Sequence, residues 1–391
     1  MRYVKPHYFD EFCCMADRCP DTCCAGWQIV IDEEALERYS REQGDWGQWI
    51  AGAIDWQEGC FKQYAGRCAF LDEKNLCELV RRKGETYLCE TCRRYPRHVE
   101  EFEDLREWSL SLSCPVAAGL ILTREEPVRF LVEEDDLPDP LEEEFEEFDL
   151  LLFTKLEDAR EWMFAVAQDR SIPMVRRMGR VLELAEELQK CVDEGRLWEM
   201  DEVIGRGYRE PTCEDAVFYG EDKPDSEAFE KGHYASMKEA FGVFSRLELL
   251  REDWSQVLQQ TEECLYFDTP KEYHRIRQDF LEQYGPGGPE YEAWEIFQEN
   301  LFLFFLYTYF CGGVYDEWIY SKAALAVFSV SFLQEFVMCR RYLADKTCEP
   351  SEWVELACRY AREVEHSDDN LNFLEEWLME SGLIMKGMVT T

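Results

Sequence analysis

The sequence has little positive charge and lacks the glycine-rich loops of the common nucleotide-binding folds. Its 42 lysines and arginines stand against 83 aspartates and glutamates, which gives a formal net charge of -41. So acidic a surface repels phosphates, whereas a nucleic-acid-binding protein presents a basic stripe. Neither G-x-G-x-x-G nor G-x-x-x-x-G-K-[ST] occurs in the chain. We therefore expect no nucleic-acid partner. We also expect neither of the nucleotide-binding folds that these two motifs mark.

Apolar segments are also missing where an export signal or a membrane span would need them. The N-terminus, MRYVKPHYFDEF, has no apolar stretch of signal-peptide length and no small-residue cleavage site. The strongly apolar run from Leu301 to Cys311 is shorter than the about 20 residues that span a bilayer. We expect a cytoplasmic protein without a membrane partner, whose thiols stay reduced unless a metal holds them.

Length and composition predict a globular protein that is mainly α. The 391 residues are 46% apolar and 14% aromatic, which suffices for a substantial core. Apolar residues recur at three- and four-residue steps from 151 onward, which predicts a helical bundle over 151–391. The acidic segment 131–150 predicts an exposed linker, with a docking strip for a basic substrate as the alternative. Before it we expect a cysteine-rich, metal-binding domain, residues 1–130, with little strand.

Cysteine is the residue in excess, with 18 in the chain. Eleven of them precede residue 115, and this density predicts metal ligation, with packing thiols as the alternative. The other seven have no motif-like spacing and are expected to be small core residues, as free cysteine commonly is. These seven are Cys191, Cys213, Cys264, Cys311, Cys339, Cys348 and Cys358.

The N-terminal cysteines form two local groupings. The first grouping is Cys14-x4-Cys19-x3-Cys23-Cys24, and the second comprises Cys68-x8-Cys77, Cys89-x2-Cys92 and Cys114. Thiolates are soft ligands for zinc, copper(I) or iron–sulfur clusters, and a structural site takes four of them. Zinc fingers usually repeat C-x2-C pairs, so the irregular spacing favours an iron–sulfur cluster, with zinc as the alternative. The C-x3-C-x2-C loop of radical S-adenosylmethionine enzymes is missing.

Four cysteine-bearing segments together resemble a known family. They read, in order, FCCMADRCPDTCCAGWQIVID, CAFLDEKNLCEL, CETCRRYPRHV and SLSLSCPVAA. The set is similar to the flagellin lysine-N-methylase family (FliB-type), which overlaps the cysteine-rich zinc- or iron-chelating proteins. The resemblance is densest over residues 8–120 and extends more weakly to the aromatic segment ENLFLFFLYTYF.

The resemblance implies methyl transfer from S-adenosylmethionine to lysine side chains of a protein, with flagellin as the expected substrate and a bound [4Fe-4S] cluster. Cys13, Cys60 and Cys89 fall outside the family pattern. The cysteines that match it, and are therefore the implied metal ligands, are Cys14, Cys19, Cys23, Cys24, Cys68, Cys77, Cys92 and Cys114. Among these we rank Cys19, Cys23, Cys77 and Cys92 first.

The chemistry of such a transfer suggests where to look for further site residues. The acceptor amine must lose its proton, and aromatic faces shelter cations. Arg93 and Arg97 in CRRYPRH are the predicted cofactor-binding residues, because a guanidinium clamps a carboxylate; a solvated basic turn is the alternative. No catalytic residue is predicted. One helical stripe carries polar groups beside aromatic faces that could serve this reaction, although residues in such stripes more often only pack in the core. These residues are Glu295, Glu299, Asn300, Tyr307 and Tyr309.

A second function of a different class also fits these features. In it, the chain is a non-enzymatic metal-binding or redox-sensing protein, with a structural cluster or zinc, whose helical region binds a partner. An enzyme would leave a methylated product on its partner, whereas a binding protein would leave none.

Overall fold

The described strands all lie in about the first third of the chain, together with a few short helices. The rest of the described chain is helical. The computed structural model describes residues 1–135, 148–207 and 226–389. Its fold is mainly α, with a cysteine-rich N-terminal region followed by a helical region, which confirms the predicted fold class.

One four-stranded sheet and two strand pairs make up the β structure of the described residues. In the sheet the order is β6-β7-β1-β8; β1 pairs parallel to β7 and antiparallel to β8, so that Val4 lies opposite Glu107 and Val132. The strands are β1 Arg2–Pro6, β2 Ile54–Asp55, β3 Cys60–Phe61, β4 Gln63–Tyr64, β5 Arg67–Cys68, β6 Arg97–Phe102, β7 Leu105–Leu110 and β8 Phe130–Glu134.

The helices of the N-terminal third are short, and most of those after residue 149 are longer. The first five are α1 Glu33–Ser40, α2 Gly44–Ala53, α3 Glu78–Lys83, α4 Glu90–Arg94 and α5 Pro115–Leu122. The next six are α6 Leu150–Ala167, α7 Met174–Asp193, α8 Met200–Gly207, α9 Ser226–Phe244, α10 Glu252–Tyr266 and α11 Pro270–Tyr284. The last six are α12 Tyr291–Tyr309, α13 Gly313–Asp316, α14 Ile319–Ala344, α15 Pro350–Glu365, α16 Asp368–Glu380 and α17 Gly382–Val389.

Helices α12 and α14 form the centre of the bundle, as their apolar sequences predict. Residues 301–307 of α12 are buried, and so are residues 319–333 of α14. Helix α14 is the one described helix that is long and apolar enough to cross a membrane, by length and composition only. The structure buries 94% of its most apolar window, as expected for a core helix.

Two separate hydrophobic cores organise the chain. The smaller core gathers residues between Ile29 and Cys89, and it belongs to the cysteine-rich region. The larger core combines the helices with the sheet strand β7 and with α5. The predicted linker lies mostly in 136–147, outside the described residues, and the domain boundaries at 130 and 150 stay predictions.

Buried ion pairs attach the sheet to the helices. Arg160 of α6 donates to the Glu107 carboxylate of β7 at 2.6 Å and to the Tyr307 carbonyl of α12 at 3.1 Å. The Tyr307 hydroxyl in turn donates to the carbonyls of Val4 and Trp108, both at 3.1 Å. The buried polar groups of Arg160, Glu107 and Tyr307 therefore have partners at this junction. Such pairing is what stabilises a buried polar contact.

Candidate functional site

Five thiols of the cysteine-rich region pack against the smaller core. Backbone contacts bring their segments together: the Cys68 amide donates to the Cys24 carbonyl at 2.8 Å, and Cys77 pairs with Leu71 in an isolated bridge. Cys68 and Cys89 are buried, and the other three are partly buried. We call them the core-side thiols: Cys24, Cys68, Cys77, Cys89 and Cys92.

Helix starts position three of the core-side thiols. Cys77 directly precedes α3, and Cys89 directly precedes α4, so that Cys92 lies one turn into α4. The Cys89 and Cys92 thiols share a hydrogen bond, and this bond and burial raise the pKa of Cys92. A hydrogen bond from Cys23 lowers the pKa of Cys24 to about 7. Thiols that interact in this way are close neighbours.

A second thiol group lies between the cysteine-rich region and the helices. Burial raises the pKa of Cys114, and the neighbouring thiols Cys19 and Cys14 add to the rise. The pKa of Cys23 is also raised, chiefly by its hydrogen bond with Cys24 and in part by Cys114 and Cys14. We call this set the interface thiols: Cys14, Cys19, Cys23 and Cys114.

The eight predicted ligands thus divide into four interface thiols and four core-side thiols. Of the four ranked first, Cys19 and Cys23 belong to one group, whereas Cys77 and Cys92 belong to the other. The structure adds Cys89, which the family pattern omits, although its C-x2-C spacing to Cys92 was visible in the sequence. Either group has the number of soft donors that a [4Fe-4S] cluster or a zinc ion needs.

The thiols are suitable ligands for a metal, but in the structure they do not converge on one point. Within the described ranges, no three Cys, His, Asp or Glu side chains form a group that could hold a metal ion. Binding would require the thiols to converge, as happens where metal ligation completes local folding. All the described cysteines are free thiols, so they are available for such ligation.

The remaining cysteines largely pack as the sequence predicts. Of the seven scattered ones, Cys264 is partly buried and Cys213 lies outside the described residues. In the N-terminal third, Cys60 is buried and Cys13 is exposed. Those that are buried in the larger core are Cys191, Cys311, Cys339, Cys348 and Cys358.

Polar contacts join the segment that holds the interface thiols to the last helices. The Cys19 thiol donates to the Asp21 carbonyl at 3.0 Å, and the Asp21 carboxylate pairs with Arg362 of α15 and with Arg251 at 3.4 Å. Gly26 allows Arg251 this close approach: a Cβ there would lie 3.2 Å from the arginine side chain, and its φ of +86° suits glycine.

A cavity of about 640 Å³ opens next to this junction, between the cysteine-rich region and the bundle. Its size is typical of small-molecule sites. We call it the interface cavity. Its lining from the N-terminal side includes Trp27, Thr91, Ser109, Ser111 and residues 94–100, and from the helical side Thr308, Tyr309, Asp316, Lys322, Glu365, His366, Asp368 and Glu375.

Glu365, the last residue of α15, is a buried carboxylate of this cavity that is held by hydrogen bonds. Its carboxylate accepts from the Ser111 hydroxyl at 2.6 Å and from the Ser113 amide at 3.4 Å. Burial raises its pKa to about 7. Among the described residues no Lys or Arg lies within ion-pair distance of it, whereas Glu375 is paired with Lys322 at 2.5 Å. Glu365 is thus able to take up and release a proton near neutral pH.

Aromatic rings line the cavity beside Glu365. Trp27 lies 4.9 Å from the His366 ring and 5.7 Å from the Tyr95 ring, and its indole donates to the Cys23 carbonyl at 2.7 Å. The Ser113 hydroxyl bonds both Tyr95, at 2.9 Å, and His366, at 2.8 Å. Burial lowers the pKa of His366 to about 4, so this ring is neutral. The rings therefore offer π faces to a cation.

The two predicted cofactor-binding arginines have different positions. Arg97 lines the interface cavity, and its guanidinium lies 5.0 Å from the Phe12 ring centre. Arg93 does not line the cavity and lies 3.9 Å from Glu90. Arg94, which follows it, does line the cavity and pairs with Glu90 at 2.6 Å.

Of the five candidate residues on the aromatic helix, Tyr309 alone lines the interface cavity within the described chain, together with Phe304 and Thr308 of the same helix. Glu299 pairs with Arg170 and Arg177, and the Asn300 amide donates to the Arg124 carbonyl at 2.8 Å. Tyr307 bonds the sheet, as described above. Glu295 accepts from the Tyr291 hydroxyl at 2.7 Å and pairs with Arg177. These residues hold the fold together, which agrees with the plain-core interpretation.

The sequence did not reveal Glu365, His366 or Trp27 as site residues. Glu365 and His366 come at the end of an ordinary amphipathic helix, and no motif surrounds them. Trp27 ends the CCAGW segment, three residues after Cys24. Its nearness to this cysteine pair was the signal in the sequence that could have marked it as a site residue.

Comparison with known proteins identifies the family. The family model described as "FliB lysine N-methylase C-terminal domain" matches residues 160–388, more than half of the chain. This protein belongs to the FliB lysine N-methylase family. The match begins in α6 and ends in α17, so the family's domain includes the helical side of the interface cavity.

Relatives in Salmonella agree with the FliB family assignment. The chain is 29% identical over 128 residues to the flagellar biosynthetic protein FliU of Salmonella muenchen, over 30% of this chain and 76% of that protein. It has the same identity over 128 residues to lysine-N-methylases of Salmonella typhimurium and Salmonella choleraesuis, over 32% of the length of each. No solved structure matches this member of the FliB family.

Proposed function

We propose that this protein transfers methyl groups from S-adenosylmethionine to lysine side chains of a protein substrate, flagellin, and that it carries a [4Fe-4S] cluster. The observation that carries the proposal is the interface cavity, which combines a proton-accepting carboxylate with aromatic rings in a member of the lysine N-methylase family. The names of the Salmonella relatives, two lysine-N-methylases and a flagellar biosynthetic protein, support both the reaction and the substrate.

The lining of the cavity suits two cationic reactants. A methyl sulfonium and a lysine ammonium are both positively charged, and aromatic faces attract cations within about 6 Å of the ring centre. Trp27, Tyr95 and Tyr309 provide such faces around one space. We assign the methyl donor and the acceptor lysine to this cavity, where the rings exclude water from both.

Glu365 is the proposed general base. Free lysine has a pKa of about 10.4, so its nitrogen is protonated at neutral pH and cannot attack carbon. The ammonium gives its proton to the Glu365 carboxylate, whose raised pKa of about 7 keeps it receptive near neutrality. The freed nitrogen then forms a bond to the methyl carbon as the carbon–sulfur bond breaks, which leaves methyl-lysine and S-adenosylhomocysteine. Ser111 and Ser113 fix the carboxylate in place.

Arg97 is the proposed contact for the carboxylate of the methyl donor. It lines the same cavity as Glu365 and has a guanidinium that binds carboxylates through paired hydrogen bonds. Arg93, the other predicted cofactor-binding residue, lies outside the lining and is assigned no contact with the donor.

The core-side thiols are the proposed cluster ligands. Cys24, Cys68, Cys77 and Cys92 match the family pattern, and they pack against one core that would shield a cluster from solvent. Cys89 is the alternative fourth ligand because it shares the helix start with Cys92. A bound cluster would supply an anionic inorganic centre that cross-links these segments; zinc is the alternative metal.

A protein substrate is compatible with the charge of the chain. With a net charge of -41, the surface attracts a lysine-bearing partner and repels nucleic acid. Cytoplasmic action is part of the proposal, since free thiols persist in a reducing compartment.

The proposal is tested with anaerobically purified protein, S-adenosylmethionine and purified flagellin. Mass spectrometry of flagellin should show increments of one methyl group on lysines, and none when the donor is omitted. Iron and acid-labile sulfide should each be about four per chain, the content of a cubane cluster. If cluster-loaded protein transfers no methyl group but binds flagellin tightly, the non-enzymatic alternative replaces this proposal.

A further inference from the structure

A second cavity, of about 480 Å³, lies inside the helical bundle and has no part in the proposed reaction. We call it the bundle cavity; helices α7, α11, α12 and α14 border it. In the first half of α12, Tyr291, Trp294, Glu295 and Gln298 line this cavity. At the other end of the helix, Phe304, Thr308 and Tyr309 line the interface cavity. With about 1.5 Å of rise per residue, the six residues from Gln298 to Phe304 separate the two linings by about 9 Å along the helix.

The wall of the bundle cavity is mostly apolar. Met174, Met178 and Met388 contribute flexible thioether side chains, and Leu281 and Trp294 complete the apolar lining. Methionine adapts its shape to what it contacts, so a wall with three of them accommodates apolar ligands of varied form. A space of this volume and character is typical of a site for a small organic molecule.

Arg277 of α11 places a positive charge in this apolar wall. Its side chain is half-buried, and its Nε atom is buried without a hydrogen-bond partner. In the ranges that the structure describes, no carboxylate lies within ion-pair distance of its guanidinium. This buried Nε–H group is therefore a hydrogen-bond donor that an anion in the cavity could use.

The acidic groups nearest to Arg277 already have partners. Glu335 of α14 is fully buried, and its carboxylate accepts from the hydroxyls of Tyr266, at 2.5 Å, and Tyr273, at 3.0 Å. Glu295 pairs with Arg177, as described above. The charge on Arg277 favours the ionised form of Glu335, but neither of these carboxylates lies within ion-pair distance of the guanidinium.

We infer that the bundle cavity binds an organic monocarboxylate with an apolar body, whose carboxylate pairs with Arg277 and whose body packs against the methionine-rich wall. This inference is independent of the methyl-transfer proposal. The acyl chain of a medium-chain fatty acid is the matching chemistry, because it joins one negative charge to an apolar volume of this size.

The probe is the aromatic sulfonate 8-anilinonaphthalene-1-sulfonate, whose fluorescence rises in apolar sites, with octanoate as the competitor. The full-length protein should bind the dye, and octanoate should displace it. Arg277→Met should weaken octanoate binding about tenfold or more, because a charge-assisted contact is lost, whereas Arg277→Lys should keep part of the affinity.

Arg275→Met is the matched control, because Arg275 lies on the same helix but is exposed and pairs with Glu272 at 2.6 Å. It should bind octanoate like the unmodified protein, and circular dichroism should show that all variants are folded. Equal octanoate affinity in the Arg277→Met and unmodified proteins would overturn the inference. So would displacement of the dye by S-adenosylhomocysteine with no effect of octanoate, because the cavity would then hold the methyl donor.

Discussion

The buried Arg362 of α15 forms an ion pair with the partly exposed Asp21, and so joins the C-terminal helices to the segment that carries the interface thiols. Its Nε atom also donates to the Ser113 carbonyl at 2.8 Å. Because the Ser113 hydroxyl bonds Tyr95 and His366, a single guanidinium connects the N-terminal third to the lining of the interface cavity.

Arg362→Met should destabilise the protein by about 1–3 kcal/mol, because the charged contact with Asp21 and the buried hydrogen bond to the Ser113 carbonyl are both lost. Urea unfolding measures this loss. Arg340→Met is the control: Arg340 pairs with Glu355 near the surface at 3.2 Å, and exposed pairs contribute about 0–1 kcal/mol. Equal losses in the two variants would show that the Asp21 contact adds nothing to stability.

Glu365→Gln should lower the methylation rate by about 10²-fold or more, the range over which a general base contributes. In the unmodified protein the rate should rise with pH through about 7, where the Glu365 carboxylate loses its proton. The glutamine variant should lack this inflection. Rates are measured with cluster-loaded protein by single-turnover mass spectrometry.

Glu355→Gln, on the exposed face of the same helix, is the control for that measurement and should be fully active. A Glu365→Gln variant with the normal rate and the normal pH profile would exclude this carboxylate as the base.

Arg97→Met and Arg93→Met should differ in their affinity for S-adenosylmethionine. Loss of a guanidinium–carboxylate contact weakens binding by about tenfold or more, so Arg97→Met should raise the KM for the donor. Arg93 lies outside the cavity lining, and its variant should keep the normal value. Equal KM values for both variants would remove Arg97 from the donor site.

Cys68→Ala should lose iron and sulfide, and with them part of its thermal stability, because ligation and local folding are coupled. Cys311→Ala is the control, since Cys311 is buried in the larger core and belongs to neither thiol group. Elemental analysis after anaerobic purification measures the metal. Full metal content in Cys68→Ala would exclude the core-side thiols as the ligand set, and Cys114→Ala would then test the interface thiols.

Glu335→Gln should change how stability depends on pH. Burial raises the pKa of Glu335 from 4.5 to about 7, against the opposing effect of hydrogen bonds from Tyr266 and Tyr273 and of the charge on Arg277. Between these values the folded protein binds a proton that the unfolded chain has released, so stability falls as pH rises. One such group contributes at most about 1.4 kcal/mol per pH unit.

The glutamine variant has no proton to release, so its free energy of unfolding should decline less between pH 5 and 7. Chemical denaturation at a series of pH values measures both slopes. Identical slopes would mean that Glu335 titrates alike in the folded and unfolded chains.

The helical bundle was predictable because its apolar residues repeat with helical spacing. The apolar run at 301–311 and the apolar segment that forms α14 both lie within the predicted bundle, and the structure buries both. The cysteine-rich region could be predicted to gather thiols, but its local spacing could not assign them to groups. Cys23 and Cys24 are adjacent in a turn and their thiols share a hydrogen bond, yet only Cys24 packs against the smaller core.

The interface cavity depends on contacts between residues far apart in the chain. Ser111 and Glu365 are hydrogen-bonded across 254 positions, and no local pattern encodes such a pair. Glu295 and Glu299 had the expected chemistry and spacing, but nearby arginines use them for folding. Residue type alone therefore could not separate catalytic candidates from structural ion pairs.

The parallel pairing of β1 with β7, and its antiparallel pairing with β8, affects the order of events during synthesis. The first strand to leave the ribosome occupies an inner place in the sheet, and its last neighbour ends at Glu134. All eleven cysteines of the N-terminal third are translated before that neighbour. The sheet is therefore completed only after every one of these thiols has been synthesised, whereas the smaller core, which ends at Cys92, can form before β8 is made.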